Sequence, residues 1–150
     1  MPNTTWVLIA DGARARILAQ EKPFEALRPA LEEEEITGST AQSKEIGSDR
    51  PGRSFDSSGL GGRHAMAPPT DPQRYAKFAF ARELVERLEE ALHGGRFQHL
   101  VLVAAPKTLG DLRELLPAPV KAKVVAELDK DLTHVPVRDL PRHLASVLKL

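Results

Sequence analysis

The chain contains no cysteine, which excludes disulfides, thiolate catalysis and cysteine-held zinc or iron–sulfur centres. That absence fits a reducing compartment. Neither sign of charge dominates, since 21 basic residues stand against 21 acidic ones. A protein that coats nucleic acid wholesale is thereby excluded, while a local basic patch is not. Long apolar runs are also missing. The first, Trp6-Val7-Leu8-Ile9-Ala10, is too short for a signal peptide or a membrane span, and no basic residue precedes it. A cytoplasmic protein is expected. Dinucleotide and P-loop glycine patterns are absent, and the five histidines show no ligand spacing. No catalytic group, metal or cofactor is assigned.

What is present reads as an α/β chain. At 150 residues it fits one domain. Asp11-Gly12 between residues 6–10 and 13–19 signals a β-hairpin, because tight hairpin turns favour residues that tolerate positive φ. Arg14 and Arg16 alternate with Ala13, Ala15 and Ile17, as in a strand with one wet face. A third extended segment is expected near residues 31–37, with a helix as the alternative. Further on, Asp71 and Pro72 mark a helix start. Tyr75, Phe78, Ala81, Val85, Leu88 and Leu92 recur at spacings of three and four and predict its buried stripe. Gly94-Gly95 stops it. Residues 97–105 form a continuous apolar run, the pattern of a central strand covered on both faces.

Thr108, with Asp111 three residues on, predicts the N-cap of a short helix that Pro117 ends. Residues 124–128 predict another strand. Asp139 and Pro141 predict a last helix with Leu140, Leu144, Val147 and Leu148 on its buried side. A hairpin or meander followed by α-β-α-β-α gives a mixed sheet with packed helices, the element order of the ribonuclease H-like architecture.

Two segments are unbalanced in charge. Residues 21–35 hold six glutamates, Glu21, Glu25 and Glu32 to Glu35, against Lys22 and Arg28, the composition of a solvated face. Residues 50–64 hold Arg50, Arg53, Arg63 and His64 against Asp56 alone. They belong to a long Gly- and Ser-rich arm at about 40–69. So long a connection in a small domain is usually functional or disordered, and the arm is expected to be mobile in the free protein. Glycine lets backbone approach a ligand, and arginine offers a forked donor to phosphate. The candidate contact residues are therefore Arg50, Arg53, Gly61, Gly62, Arg63 and His64.

Other groupings carry less. Asp11 reads as a turn residue, not as one carboxylate of a two-metal nuclease, because residues 100–105 bring no acid. Asp129 and Asp131 follow the last strand but need not point at Asp11. Ser54, Ser57, Ser58, Asp56 and His64 contain triad ingredients without a nucleophile elbow. Lys107-Thr108 reads as a cap more readily than as a phosphate site.

Several motifs in this order resemble one bacterial family. They are residues 6–16, Gly52-Arg53-Ser54-Phe55-Asp56, Gly61-Gly62-Arg63-His64-Ala65-Met66, residues 100–104 and residues 125–134. The family is named for a protein required for attachment to host cells. The chain also resembles, more distantly, the middle domain of the archaeo-eukaryotic class-1 peptide-chain release factor. That domain is ribonuclease H-like and carries a Gly-Gly-Gln loop before a long helix. The resemblance implies a ribosome or tRNA partner for the arm. Arg63 stands where the release factor has glutamine, which counts against peptidyl-tRNA hydrolysis. The alternative is a non-enzymatic adaptor or attachment factor that binds a protein or glycan.

Overall fold

A computed structural model describes residues 3–31, 35–38 and 71–148. Its centre is the strand β1 (Thr5–Ala10). β1 pairs antiparallel with β2 (Arg14–Gln20) and parallel with β5 (His99–Ala104). β5 pairs parallel with β6 (Val124–Leu128). Two fragments, β3 (Arg28–Pro29) and β4 (Ile36–Thr37), lie on the outer edge of β2. The result is a six-stranded mixed sheet.

Period-two alternation decides the layers. Trp6, Leu8 and Ala10 of β1 and Leu100, Leu102 and Ala104 of β5 face one core, and Val7, Ile9, Val101 and Val103 face the other. The first core is covered by helix α1 (Pro72–His93) through Phe80, Ala81, Leu84 and Leu88, and by α2 (Pro106–Leu115) through Leu109 and Leu112. α3 (Ala118–Lys121) adds Val120. The second core is closed by Leu27, Leu132 and, from α4 (Leu140–Leu144), Leu140 and Leu144. Burial on both faces explains why β1 and β5 read as unbroken apolar runs.

The expected hairpin, long helix and strands at 97–105 and 124–128 are all present, and α1 starts as expected. Asp71 caps it by accepting from the Arg74 amide, with Pro72 in the first turn. Gly95 ends it at φ 68°.

Several details differ. Gly12 does not adopt positive φ; among the described residues only Phe24 and Gly95 do. The turn is instead tied by the Asp11 side chain. Of the extended segment expected near residues 31–37, the described part is strand at β4 (Ile36–Thr37), and β3 (Arg28–Pro29) lies just before it; residues 32–34 lie outside the described residues. Tyr75 is 43% exposed, whereas Phe80, outside the expected stripe, is 1% exposed. α2 begins at Pro106, whose fixed φ suits a first position, so Ala105 occupies the cap and Thr108 lies buried within the first turn. Asp139 makes no side-chain cap bond; a 3₁₀ turn (Val137–Asp139) leads into α4 instead. The arm, with Arg50, Arg53, Gly61, Gly62, Arg63 and His64, lies outside the described residues.

Candidate functional site

Because β1, β5 and β6 are parallel, they end on the same edge of the sheet. Carboxyl ends of parallel strands are where open α/β sheets usually bind ligands. The second and third turns of α1 also reach this edge, at Lys77 and Phe80. A Cβ on Gly12 would come 2.6 Å from Lys77 Cγ, and one on Gly38 would come 2.8 Å from Phe80 Cδ1. Gly38 donates its amide to the Ala13 carbonyl at 3.3 Å.

At the centre of the edge lies Asp11. Its Oδ1 accepts from the amides of Ala13 (2.7 Å) and Arg14 (2.8 Å). Short Asp side chains favour such turns, and here the bonds fix the carboxylate and leave Oδ2 pointing away from the turn. Thr133 Oγ1, 122 residues further on, lies 3.4 Å from that oxygen. The hydroxyl has one proton, and its shorter bond goes to Asp131 Oδ1 at 2.6 Å. The same oxygen accepts the Thr133 amide at 3.0 Å.

His134 completes the cluster. One donor atom from each of Asp11, Asp131 and His134 lies within 4.8 Å of the others. Two carboxylates and an imidazole are a donor set that divalent cations accept. Arg14 competes for the same charge: its Nε is 3.9 Å from Asp11 Oδ2, and it also reaches Glu35 at 3.9 Å. Within this cluster the Thr133 hydroxyl donates to a carboxylate and not to a positioned base, so it is not an activated nucleophile.

The segment bearing Asp131 and His134 is held by Arg16. Its two terminal nitrogens donate to the Val135 carbonyl at 2.8 and 2.7 Å. Arg16 was expected on a wet face. The chain at 132–136 covers it instead, and burial pulls its pKa below the ordinary value, with Glu35 acting in the opposite sense.

Asp131 titrates lower than an ordinary aspartate. Burial opposes the charge, but the Thr133 hydroxyl and amide bonds and the charges of His134 and Arg14 outweigh it. The sign follows directly. A depressed folded-state pKa contributes stability that is complete above the unfolded value and disappears as pH falls through the folded one. The advantage of wild type over Asp131→Asn should therefore be present at pH 7 and shrink once pH drops below 3.8. Urea unfolding at pH 7 and pH 3 checks this. An advantage unchanged at pH 3 would mean the carboxylate charge plays no part.

A second ionic contact sits on the helix side of the sheet. Arg74, in the first turn of α1, donates to Asp111 of α2 at 2.6 Å. Asp111 is the residue expected to serve a capping pattern. It is 6% exposed and ties the two helices together. Lys107 is exposed beside it, and buried Thr108 offers no free surface to a phosphate.

Linear spacing gives no hint that Asp131 and His134 meet Asp11. The available signal is topological: a segment that follows a parallel strand emerges at the carboxyl edge. A family model described as "Protein required for attachment to host cells" matches residues 6–144. That is nearly the whole chain, and the protein belongs to that family. No curated protein gives a significant match.

Proposed function

We propose that this member of the host-attachment family is a binding protein whose arm contacts RNA of the ribosome or a tRNA. The contact residues are Arg50, Arg53, Gly61, Gly62, Arg63 and His64. One observation carries the reading. Gly61-Gly62 precede a capped 22-residue helix in a chain that opens with an Asp11-Gly12 hairpin, the order in which a release-factor middle domain places its glycine-rich loop. Gly38, which precedes the arm in the chain, donates its amide to Ala13 beside the hairpin turn. Arg63 pairs with phosphate in a forked geometry. It has no acceptor with which to orient water, so the role is binding without hydrolysis. A ribosomal or tRNA partner calls for a cytoplasmic protein. Among the described residues no helix is long and apolar enough to cross a membrane.

The family's description favours a second reading, an adaptor or attachment factor that binds a protein or glycan. Salt separates the two. Three arginines that neutralise three phosphates make affinity fall about 20–40-fold between 50 and 200 mM salt, whereas contact with a neutral glycan does not. The test is co-sedimentation with ribosomes across that range. Salt-sensitive binding, lost in the Arg63→Ala/His64→Ala double variant, is expected, with no peptide released from peptidyl-tRNA. Absence of binding at every salt concentration transfers the assignment to the adaptor.

A further inference from the structure

The carboxyl edge of the sheet brings together three groups that the fold leaves with spare bonding capacity. Asp11 is the first residue past β1, and Asp131 and His134 follow β6. Each carboxylate is held by one oxygen and keeps the other open. Asp11 Oδ1 is taken by the amides of Ala13 and Arg14, and Asp131 Oδ1 by the amide and hydroxyl of Thr133. Asp11 Oδ2 has only the Thr133 hydroxyl at 3.4 Å, whose proton already serves Asp131. Arg16 grips the Val135 carbonyl through both terminal nitrogens and so fixes the backbone next to His134.

The charge at this point is uncompensated. Among the described residues, no lysine or arginine side chain hydrogen-bonds to Asp11 or Asp131. Arg14 stands off, with its Nε 3.9 Å from Asp11 Oδ2, and reaches equally toward Glu35 at 3.9 Å. Like charges in one site oppose each other's ionisation, yet the two carboxylates are held together from elements 120 residues apart. The third donor separates the cluster from an ordinary acidic surface. An imidazole adds a lone pair and no negative charge, and donor atoms of all three residues lie within 4.8 Å of one another. Ligands bound at about 2.0–2.2 Å stand about 3–4 Å apart. His134 is exposed, so its ring can turn to close that gap.

We propose that Asp11, Asp131 and His134 are the protein ligands of one divalent first-row transition-metal ion, which ties the segment after β6 to the hairpin turn. An imidazole with two carboxylates suits Zn²⁺ or Mn²⁺, whereas Mg²⁺ and Ca²⁺ call for oxygen alone. β5 ends beside the site in Ala104 and adds no acid, so the donors suffice for one ion and two-metal phosphodiester cleavage is not implied. The site shares no residue with the arm, so ribosome binding can fail without touching it.

Calorimetric titration of the metal-free full chain with ZnCl₂ tests it. One equivalent should bind, and at a hundredfold excess over Kd the melting temperature should rise by about 5–10 °C. His134→Ala removes an exposed ring and should melt like wild type without metal. It should lose at least about tenfold in Zn²⁺ affinity and most of the thermal shift. Asp131→Asn should lose affinity similarly, while His93→Gln and His64→Gln retain it. Co²⁺ supplies a readout independent of stability: its visible absorption should change in His134→Ala and not in His93→Gln. No binding of Zn²⁺ or Mn²⁺ would overturn the proposal. So would affinity unchanged in His134→Ala, or Mg²⁺ bound as tightly as Zn²⁺.

Discussion

Truncating Phe80 to alanine should destabilise the fold by about 3–5 kcal/mol, the range for removing a fully buried aromatic ring. Phe80 is 1% exposed and belongs to the same core as Ala10, Ala15, Ile36 and Leu84. Its ring lies against Gly38, where a Cβ would come within 2.8 Å of Cδ1. Gly38, which the ring lies against, has no side chain with which to close the gap. The upper part of the range is therefore expected, and the urea midpoint of unfolding measures it. Tyr75 lies one and a half turns earlier on the same helix and is 43% exposed. Tyr75→Ala should stay within about 0.5 kcal/mol of wild type, as surface substitutions do. Comparable losses from the two variants would mean that α1 sits on the sheet in a different rotational phase.

That contrast shows where periodicity stops informing. A spacing of three and four fixes that α1 is amphipathic, but the stripe was anchored on Tyr75 and Phe78 and passed over Phe80. The centre of the buried face is set by what it meets, here the gap above Gly38. The strands at 6–10 and 99–104 were legible because burial on both faces leaves no room for polar residues. The helix start at Asp71 was legible because capping is local chemistry. At Pro106 the same local reasoning failed, because a proline at the first position began the helix before the Thr108 pattern could.

The turn at Asp11 was placed correctly for a different reason from the one that operates. The Asp11 carboxylate, accepting two amides, holds it without positive φ at Gly12. Of the site at the carboxyl edge, only Asp11 and the alternating Arg14 and Arg16 were visible. Asp131, Thr133 and His134 reach them through the parallel pairing of β6, which no local pattern encodes.

Arg74 and Asp111 should respond unequally to removal of either partner. Their hydrogen bond raises the Arg74 pKa, ahead of the opposing effect of burial and the added pull of the Asp111 charge. The Arg74 side chain keeps 26% of its surface in solvent, against 9% for Asp111. In Asp111→Ala the guanidinium, whose Nη1 is also buried without a partner, must turn its head toward the exposed quarter of the side chain, so the loss should be about 1–3 kcal/mol. In Arg74→Ala a buried carboxylate loses its partner, and its Oδ2 already has none. The loss should then approach the 3–5 kcal/mol of a broken buried pair, at about 3 kcal/mol or more. Replacing both by leucine removes the ionic demand altogether and should recover most of the stability, because apolar substitutes of similar volume often match a buried pair.

A double-mutant cycle in urea reads all three values. Two single losses both below about 1 kcal/mol would place the pair effectively in solvent. The contact also ties the first turn of α1 to α2, the helix that follows β5 at the carboxyl edge. Amide exchange at residues 75–78 should accelerate in Arg74→Ala and return toward wild type in the double variant. If exchange there stays slow while global stability falls, the pair serves the core alone and does not position the edge.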